Sequence, residues 1–291
     1  MRILLIGKTG QLGWEAWRAL APLGEVIALD YPEIDLTHPE RLAGLVAEIA
    51  PQVIFNAAAY TAVDKAESET EQPRLINAVT PAELALAARK ARAVLVHFST
   101  DYVYDGEKGA PYQEDDPTNP LSVYGQTKLA GDQAVLAAGG TCLLLRTSWV
   151  YSTRRDSFVS KLLEWSRKNP VLRVVDDQVS GPTWARMLAQ TCALVLARAG
   201  SDPYAGLEGQ SGLYNLAGWG WCSRLDWARE ILYFDAQPEL RVAREVLAAK
   251  TADFPTPARR PLYSPLDCSK FERTFGLRLP DWKDALRLAM S

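Results

Sequence analysis

Histidine is almost missing from this chain: His38 and His97 are the only two in 291 residues. Cysteine is sparse as well, and Cys142, Cys192, Cys222 and Cys268 stand 50, 30 and 46 residues apart. With no CxxC pair and no Cys/His cluster, neither a zinc nor an iron–sulfur centre has ligands, so no metal is expected. Free thiols fit a reduced, cytoplasmic protein. Neither sign of charge dominates, since 32 Lys+Arg against 35 Asp+Glu leave a net charge of −3. That balance argues against nucleic acid or an anionic membrane as a partner. No apolar run approaches the roughly 18 residues a bilayer span requires.

What the chain has instead is alternation. Short apolar runs at Ile3–Ile6, Glu25–Leu29, Val53–Asn56, Ala93–Ser99 and Cys142–Thr147 read as strands. Between them Gln11–Ala21, Glu40–Ala50, Pro81–Arg92 and Tyr124–Ala138 read as helices. Near-continuous apolar strands separated by helices predict an α/β fold, a doubly wound parallel sheet of Rossmann type. Met1–Gly7 reads as its first strand. Thr37, and Thr80 with Glu83 three residues on, are expected to cap helices. Beyond residue 150 the texture becomes mixed, with helices expected at Ser157–Lys168 and Thr183–Ala199 and strand-loop pieces at 172–177 and 212–218. The expected division is a dinucleotide-binding domain, 1–150, to which helix 183–199 returns, and a smaller substrate lobe, 151–291.

The first strand runs into Gly7-Lys8-Thr9-Gly10-Gln11-Leu12-Gly13. Such spacing between strand and helix turns backbone N–H groups toward phosphate oxygens, with Gly7 at the tight turn and Gly13 where helix meets strand. A merely glycine-rich turn would look the same, but Asp30 closes the second strand where a carboxylate can accept from ribose hydroxyls. Asp30 favours NAD, whereas Lys8 could pair with the 2′-phosphate of NADP, so the dinucleotide choice stays open. Asp35 and Leu36 either border an adenine or belong to a polar loop.

Tyr124 and Lys128 stand four apart on a predicted helix and so share a face. An ammonium beside a phenol favours the phenolate, which lowers the tyrosine pKa toward working pH. Thr100 closes the fourth strand at the edge where that helix begins, well placed to orient a carbonyl. Asn56 can fasten neighbouring loops, and the small residues after it suit a cofactor lying against the backbone. His97 alternates with Val96 and Phe98 inside a strand and is read as structural. Arg260 suits a diphosphate through bidentate hydrogen bonds, although Arg259 beside it, or a surface ion pair, explains the sequence equally.

These residues resemble the extended short-chain dehydrogenase/reductases. The likeness runs through the glycine loop, Asn56–Glu67, Ser99–Tyr104, Tyr124–Lys128, Arg146–Tyr151, Asp177-Gln178, Pro182-Thr183 and Arg260-Pro261. It implies a dinucleotide, NADPH or NADH, contacting Gly10, Gln11, Leu12, Asp30, Asp35, Leu36, Ala59, Tyr60, Thr61, Phe98, Tyr124 and Lys128. It implies a dTDP-sugar contacting Thr100, Asp101 and Trp149, with Trp149 walling in the sugar or else buried in the core. The implied reaction is reduction of the C4 keto group of dTDP-4-dehydro-L-rhamnose, with Tyr124 as proton donor. Relatives on this scaffold also dehydrate or epimerise nucleotide sugars, and others bind NADP as regulatory subunits. Dehydration needs a second carboxylate after Asp101, where Tyr102 stands. A 4-epimerase is harder to separate by residues alone. Some members hold a divalent ion between glutamates at a dimer contact; Glu15 fits that place but Arg186 does not. No metal is expected, and a homodimer is retained as the expected assembly.

Overall fold

A computed structural model describes residues 1–291. Six strands form one parallel sheet: β1 Arg2–Ile6, β2 Glu25–Leu29, β3 Val53–Asn56, β4 Val94–Thr100, β5 Cys142–Thr147 and β6 Gly212–Asn215. They lie in the order β6-β5-β4-β3-β1-β2 and every neighbouring pair is parallel. The chain reverses its winding between β1 and β3. At such a switch point the connections leave in opposite directions and open a crevice at the strands' carboxyl ends. The doubly wound fold expected from the alternation is therefore what the chain adopts.

The strands have no polar face because both faces are covered. Ile3, Leu5, Val53, Phe55, Val96 and Leu145 join α1 (Gln11–Leu20) and α6 (Ala185–Arg198) in one core of 24 buried residues. The alternating residues Leu4, Ile6, Ile54 and Leu95 join α2 (Leu42–Ile49), α3 (Thr80–Ala91) and α4 (Val123–Ala138) in another of 15. Period-two alternation thus divides each strand between two cores. Each fully buried Ile or Leu contributes about 1.5–3 kcal/mol, against the chain entropy lost on ordering.

A third core of 16 residues holds Tyr151, Leu162, Trp184, Trp227 and Leu286. It is built from α5 (Phe158–Lys168), α7 (Arg224–Tyr233), α8 (Trp282–Met290) and a parallel strand pair, Val171–Val175 with Glu245–Ala249. No helix is long and apolar enough to cross a membrane.

Three local expectations give way. Thr80 is no cap: helical backbone already runs from Glu71, and the Thr80 hydroxyl donates to the Leu36 carbonyl at 2.7 Å. Thr37 does not cap the next helix either; its hydroxyl donates to Asp35 at 2.7 Å. Thr183 and Trp184 form a short strand beside Val150–Tyr151, so α6 begins two residues late. A distant partner captured Thr80 and Thr183, and the nearby Asp35 captured Thr37, so none of the three serves the helix end that local chemistry had assigned to it.

Candidate active site

The glycine loop lies in the crevice. Gly7 has φ +89°, and a Cβ on Gly13 would fall well under 3 Å from the Gly7 carbonyl, so α1 presses directly on the turn. Gly10 precedes the first turn of α1 and carries no side-chain cap, which leaves the helix N-terminus open to an anion. The side-chain oxygen of Gln11 is buried without a partner. A cleft of about 340 Å³ opens over this loop, lined by Lys8, Thr9, Gly10, Gln11, Trp14 and Arg154 among others. Leu12, by contrast, is buried in the sheet core.

Asp30 accepts from the backbone and hydroxyl of Thr9 at 2.9 and 2.7 Å, and from Tyr31 N–H at 2.9 Å. Burial alone would raise its pKa, but these donors outweigh it and the carboxyl sits below its ordinary value. Lys8 pairs with the exposed Glu33 at 2.6 Å. The Thr37 hydroxyl and backbone keep Asp35 ionised below its usual range.

After β3, Asn56 turns its amide to His97 Nδ1 at 3.0 Å and accepts from Ala58 N–H at 3.2 Å. The stretch Ala59-Tyr60-Thr61 is clasped from behind: Asn77 accepts from Tyr60 N–H at 2.9 Å and donates to its carbonyl at 3.0 Å. Asn77, fully buried, was not singled out from the sequence. Nothing in its local pattern marks it, because its partner lies seventeen residues away across a loop.

Thr100 ends β4 and Tyr124 begins α4. They are drawn together by Gly125, where a Cβ would fall well under 3 Å from the Tyr102 carbonyl. Ser122 caps α4 by accepting from Gly125 N–H at 3.2 Å, which fixes the entry angle. The rings of Tyr102 and Tyr124 meet edge to face at 5.7 Å. The Thr100 hydroxyl lies close enough to favour the phenolate of Tyr124, yet burial dominates and holds the phenol well above its ordinary pKa. That direction is opposite to the lowering expected from the lysine. The reason is geometric: Lys128 Nζ donates to the Phe98 carbonyl at 2.6 Å and faces His97 Nε2 at 3.5 Å. Burial brings Lys128 down to about 8, with Asp132 acting the other way. His97 is buried and kept neutral, first by desolvation and then by the lysine's charge. The Phe98 ring packs on Phe55 in the core at 5.2 Å, so its carbonyl is the part that faces the site.

Asp101 is 1% exposed and its carboxylate is fully engaged. Thr100 donates to it at 3.2 Å, Ser180 at 3.2 Å and Ser264 at 2.5 Å. Burial raises it to about 6 despite those donors. It ties β4 to two C-terminal loops rather than standing open. Trp149 has φ +41°, in the left-handed region, and stacks on Trp227 at 5.5 Å. Arg260 pairs with Asp64 at 2.7 Å. Arg224, also absent from the sequence reading, lies over the Trp149 ring at 3.7 Å. Glu15 pairs with Arg186 at 3.2 Å, and no group of three or more His, Cys, Asp or Glu could hold a metal.

Comparison with known proteins adds a family and relatives. The family model described as RmlD substrate binding domain matches residues 1–291. A dTDP-4-dehydrorhamnose reductase of Shigella flexneri is 43% identical over 288 residues, covering 97% of this chain and 95% of that one. The crystal structure of a dTDP-4-dehydrorhamnose reductase from Clostridium acetobutylicum superposes with TM-score 0.90 at 35% identity, over 100% of this chain and 98% of that chain. A Bacillus anthracis dTDP-4-dehydrorhamnose reductase solved in complex with NADP gives TM-score 0.87 at 30% identity, over 99% and 97%.

Proposed function

Because this chain belongs to the RmlD substrate binding domain family, we propose that it reduces the C4 keto group of dTDP-4-dehydro-L-rhamnose, using NADPH or NADH, to give dTDP-L-rhamnose. What supports this reading is that Thr100 at the end of β4 lies close to Tyr124 on α4, the helix from which Lys128 reaches back to the Phe98 carbonyl of β4.

The glycine loop fits a dinucleotide: an uncapped helix start, an orphaned Gln11 oxygen and a cleft lined by cationic side chains. Gly7, Gly10, Gln11 and Gly13 would hold its pyrophosphate, Asp30 the adenosine ribose, and Asp35, Leu36 and Ala59–Thr61 its flank. When bound, the dinucleotide supplies the hydride equivalent for C4. Thr100 orients the carbonyl through its hydroxyl. Tyr124 hands its phenolic proton to the developing alkoxide, and a phenol held protonated by burial suits a donor. Lys128 lies on the same helix face, where its ammonium steadies the phenolate left behind. Trp149 walls the sugar from the C-terminal side, and the residues after 150 that do not return to the sheet as α6 and β6 form the substrate lobe. Four unpaired cysteines agree with a reducing, cytoplasmic setting.

The test is direct. Incubation with the keto-sugar nucleotide and NADPH or NADH should consume reduced dinucleotide in step with product. An epimerase would interconvert the sugar without net consumption, and a regulatory NADP-binding subunit would do neither; either outcome defeats the reading.

A further inference from the structure

Arg224 forms no ion pair with any group of the protein. It opens α7, its backbone N–H donates to Gln178 at 3.0 Å, and Ser223 before it caps the helix by accepting from Asp226 N–H at 3.0 Å. Its guanidinium stacks over Trp149 at 3.7 Å, Phe158 at 5.0 Å and Trp227 at 5.4 Å. No carboxylate pairs with it and no protein acceptor takes any of its N–H groups. Arg260, the arginine picked out from the sequence, has Asp64 at 2.7 Å and is already balanced.

A stacked guanidinium points its N–H donors outward in its own plane, away from the ring that carries it. Those donors remain free, and a fork of parallel N–H groups matches phosphate oxygens. A cation removed from water without a counter-charge is costly, so an anion arriving there gains more than at an exposed lysine. The position suits one ligand. Arg224 stacks on Trp149, the residue expected to wall in the sugar, so its donors open beside the place the sugar ring would take. In a nucleotide sugar the diphosphate hangs from C1, across the sugar ring from C4.

Given the nucleotide-sugar reading above, we propose that Arg224 is a substrate-positioning residue that binds the diphosphate of the nucleotide sugar, with Trp149 and Trp227 as the platform that holds its guanidinium. Stacking fixes the direction of the fork, and the anion fixes the distance of C4 from Tyr124. The dinucleotide's own pyrophosphate is met elsewhere, at the Gly10 turn, so the two anionic ligands are read by different groups.

The experiment titrates dTDP into the protein loaded with NADP, following heat, for wild type, Arg224→Gln, Arg224→Lys and Arg229→Gln. Arg229 sits on the same helix, exposed and paired only with Asp226, and serves as the control. Arg224→Gln should weaken dTDP binding about 100-fold and Arg224→Lys about 10-fold, as expected for losing a charge-assisted bidentate contact. NADPH affinity and the Arg229→Gln variant should be unchanged. Should Arg224→Gln fail to fold, Arg224→Lys, which keeps the charge, decides alone. Unchanged dTDP affinity in both Arg224 variants overturns the proposal, as does an equal loss of NADPH affinity. A wild-type protein that binds no dTDP sinks the nucleotide-sugar reading itself, and this assignment with it.

Discussion

Lys128 reaches across from α4 to the Phe98 carbonyl on β4, with 2.6 Å between nitrogen and oxygen. One buried hydrogen bond therefore joins the helix that bears the phenol to the strand that bears the hydroxyl. It holds the ammonium beneath the site in a place where burial weakens its grip on a proton.

The pH dependence follows. With Lys128 brought down to about 8 by burial, raising pH through that value removes its charge. Turnover should hold below about pH 8 and fall above it, with the fall absent in Lys128→Arg, whose guanidinium keeps its proton. A profile of kcat against pH for both proteins checks this, and an identical alkaline fall in the variant contradicts it.

Tyr124→Phe removes the proton donor and little else. Turnover should drop by roughly two to four decades, while NADPH affinity, measured by fluorescence titration, stays within a factor of about two of wild type. Retention of full turnover would remove Tyr124 from the mechanism.

Gly125 should tolerate no side chain. A Cβ there meets the Tyr102 carbonyl, backbone that cannot swing aside, so α4 must shift. Gly125→Ala should cost about 1–3 kcal/mol of stability and displace Tyr124 from Thr100, lowering kcat as well as the melting temperature. A variant with wild-type melting and turnover would show that the helix can move freely.

Asp101 gives a stability test. Its folded pKa of about 6 lies above the ordinary 3.8, so the folded state binds its proton more tightly than the unfolded chain does. The associated stability is fully present below about pH 4 and is lost as pH rises through about 6. It amounts to about 3 kcal/mol. In thermal melts from pH 4 to 7, the advantage of wild type over Asp101→Asn should shrink with rising pH and then level off. A difference independent of pH would mean that Asp101 does not titrate there.

Much of this was legible before any coordinates. The five strand runs and the order glycine loop, Thr100, Tyr124, Lys128 follow from patterns that close within a few residues, since side-chain alternation and helical spacing are local geometry. His97 is buried, as its place between Val96 and Phe98 implied. The errors fall where a distant group intervened. Thr80 answers to Leu36 and Asn77 to Tyr60, and no local rule foresees those partners.

The sequence by itself determined five of the sheet's six strands, its winding and the chemical character of the groups that end those strands; Gly212–Asn215, assigned to the C-terminal lobe, joins the sheet as its edge. Only the tertiary structure decided the charge states of those groups and which cation remained free. Protonation and pairing depend on burial and on neighbours brought together by folding, so Tyr124 was pushed up rather than down, and Arg224 rather than Arg260 was left without a counter-charge.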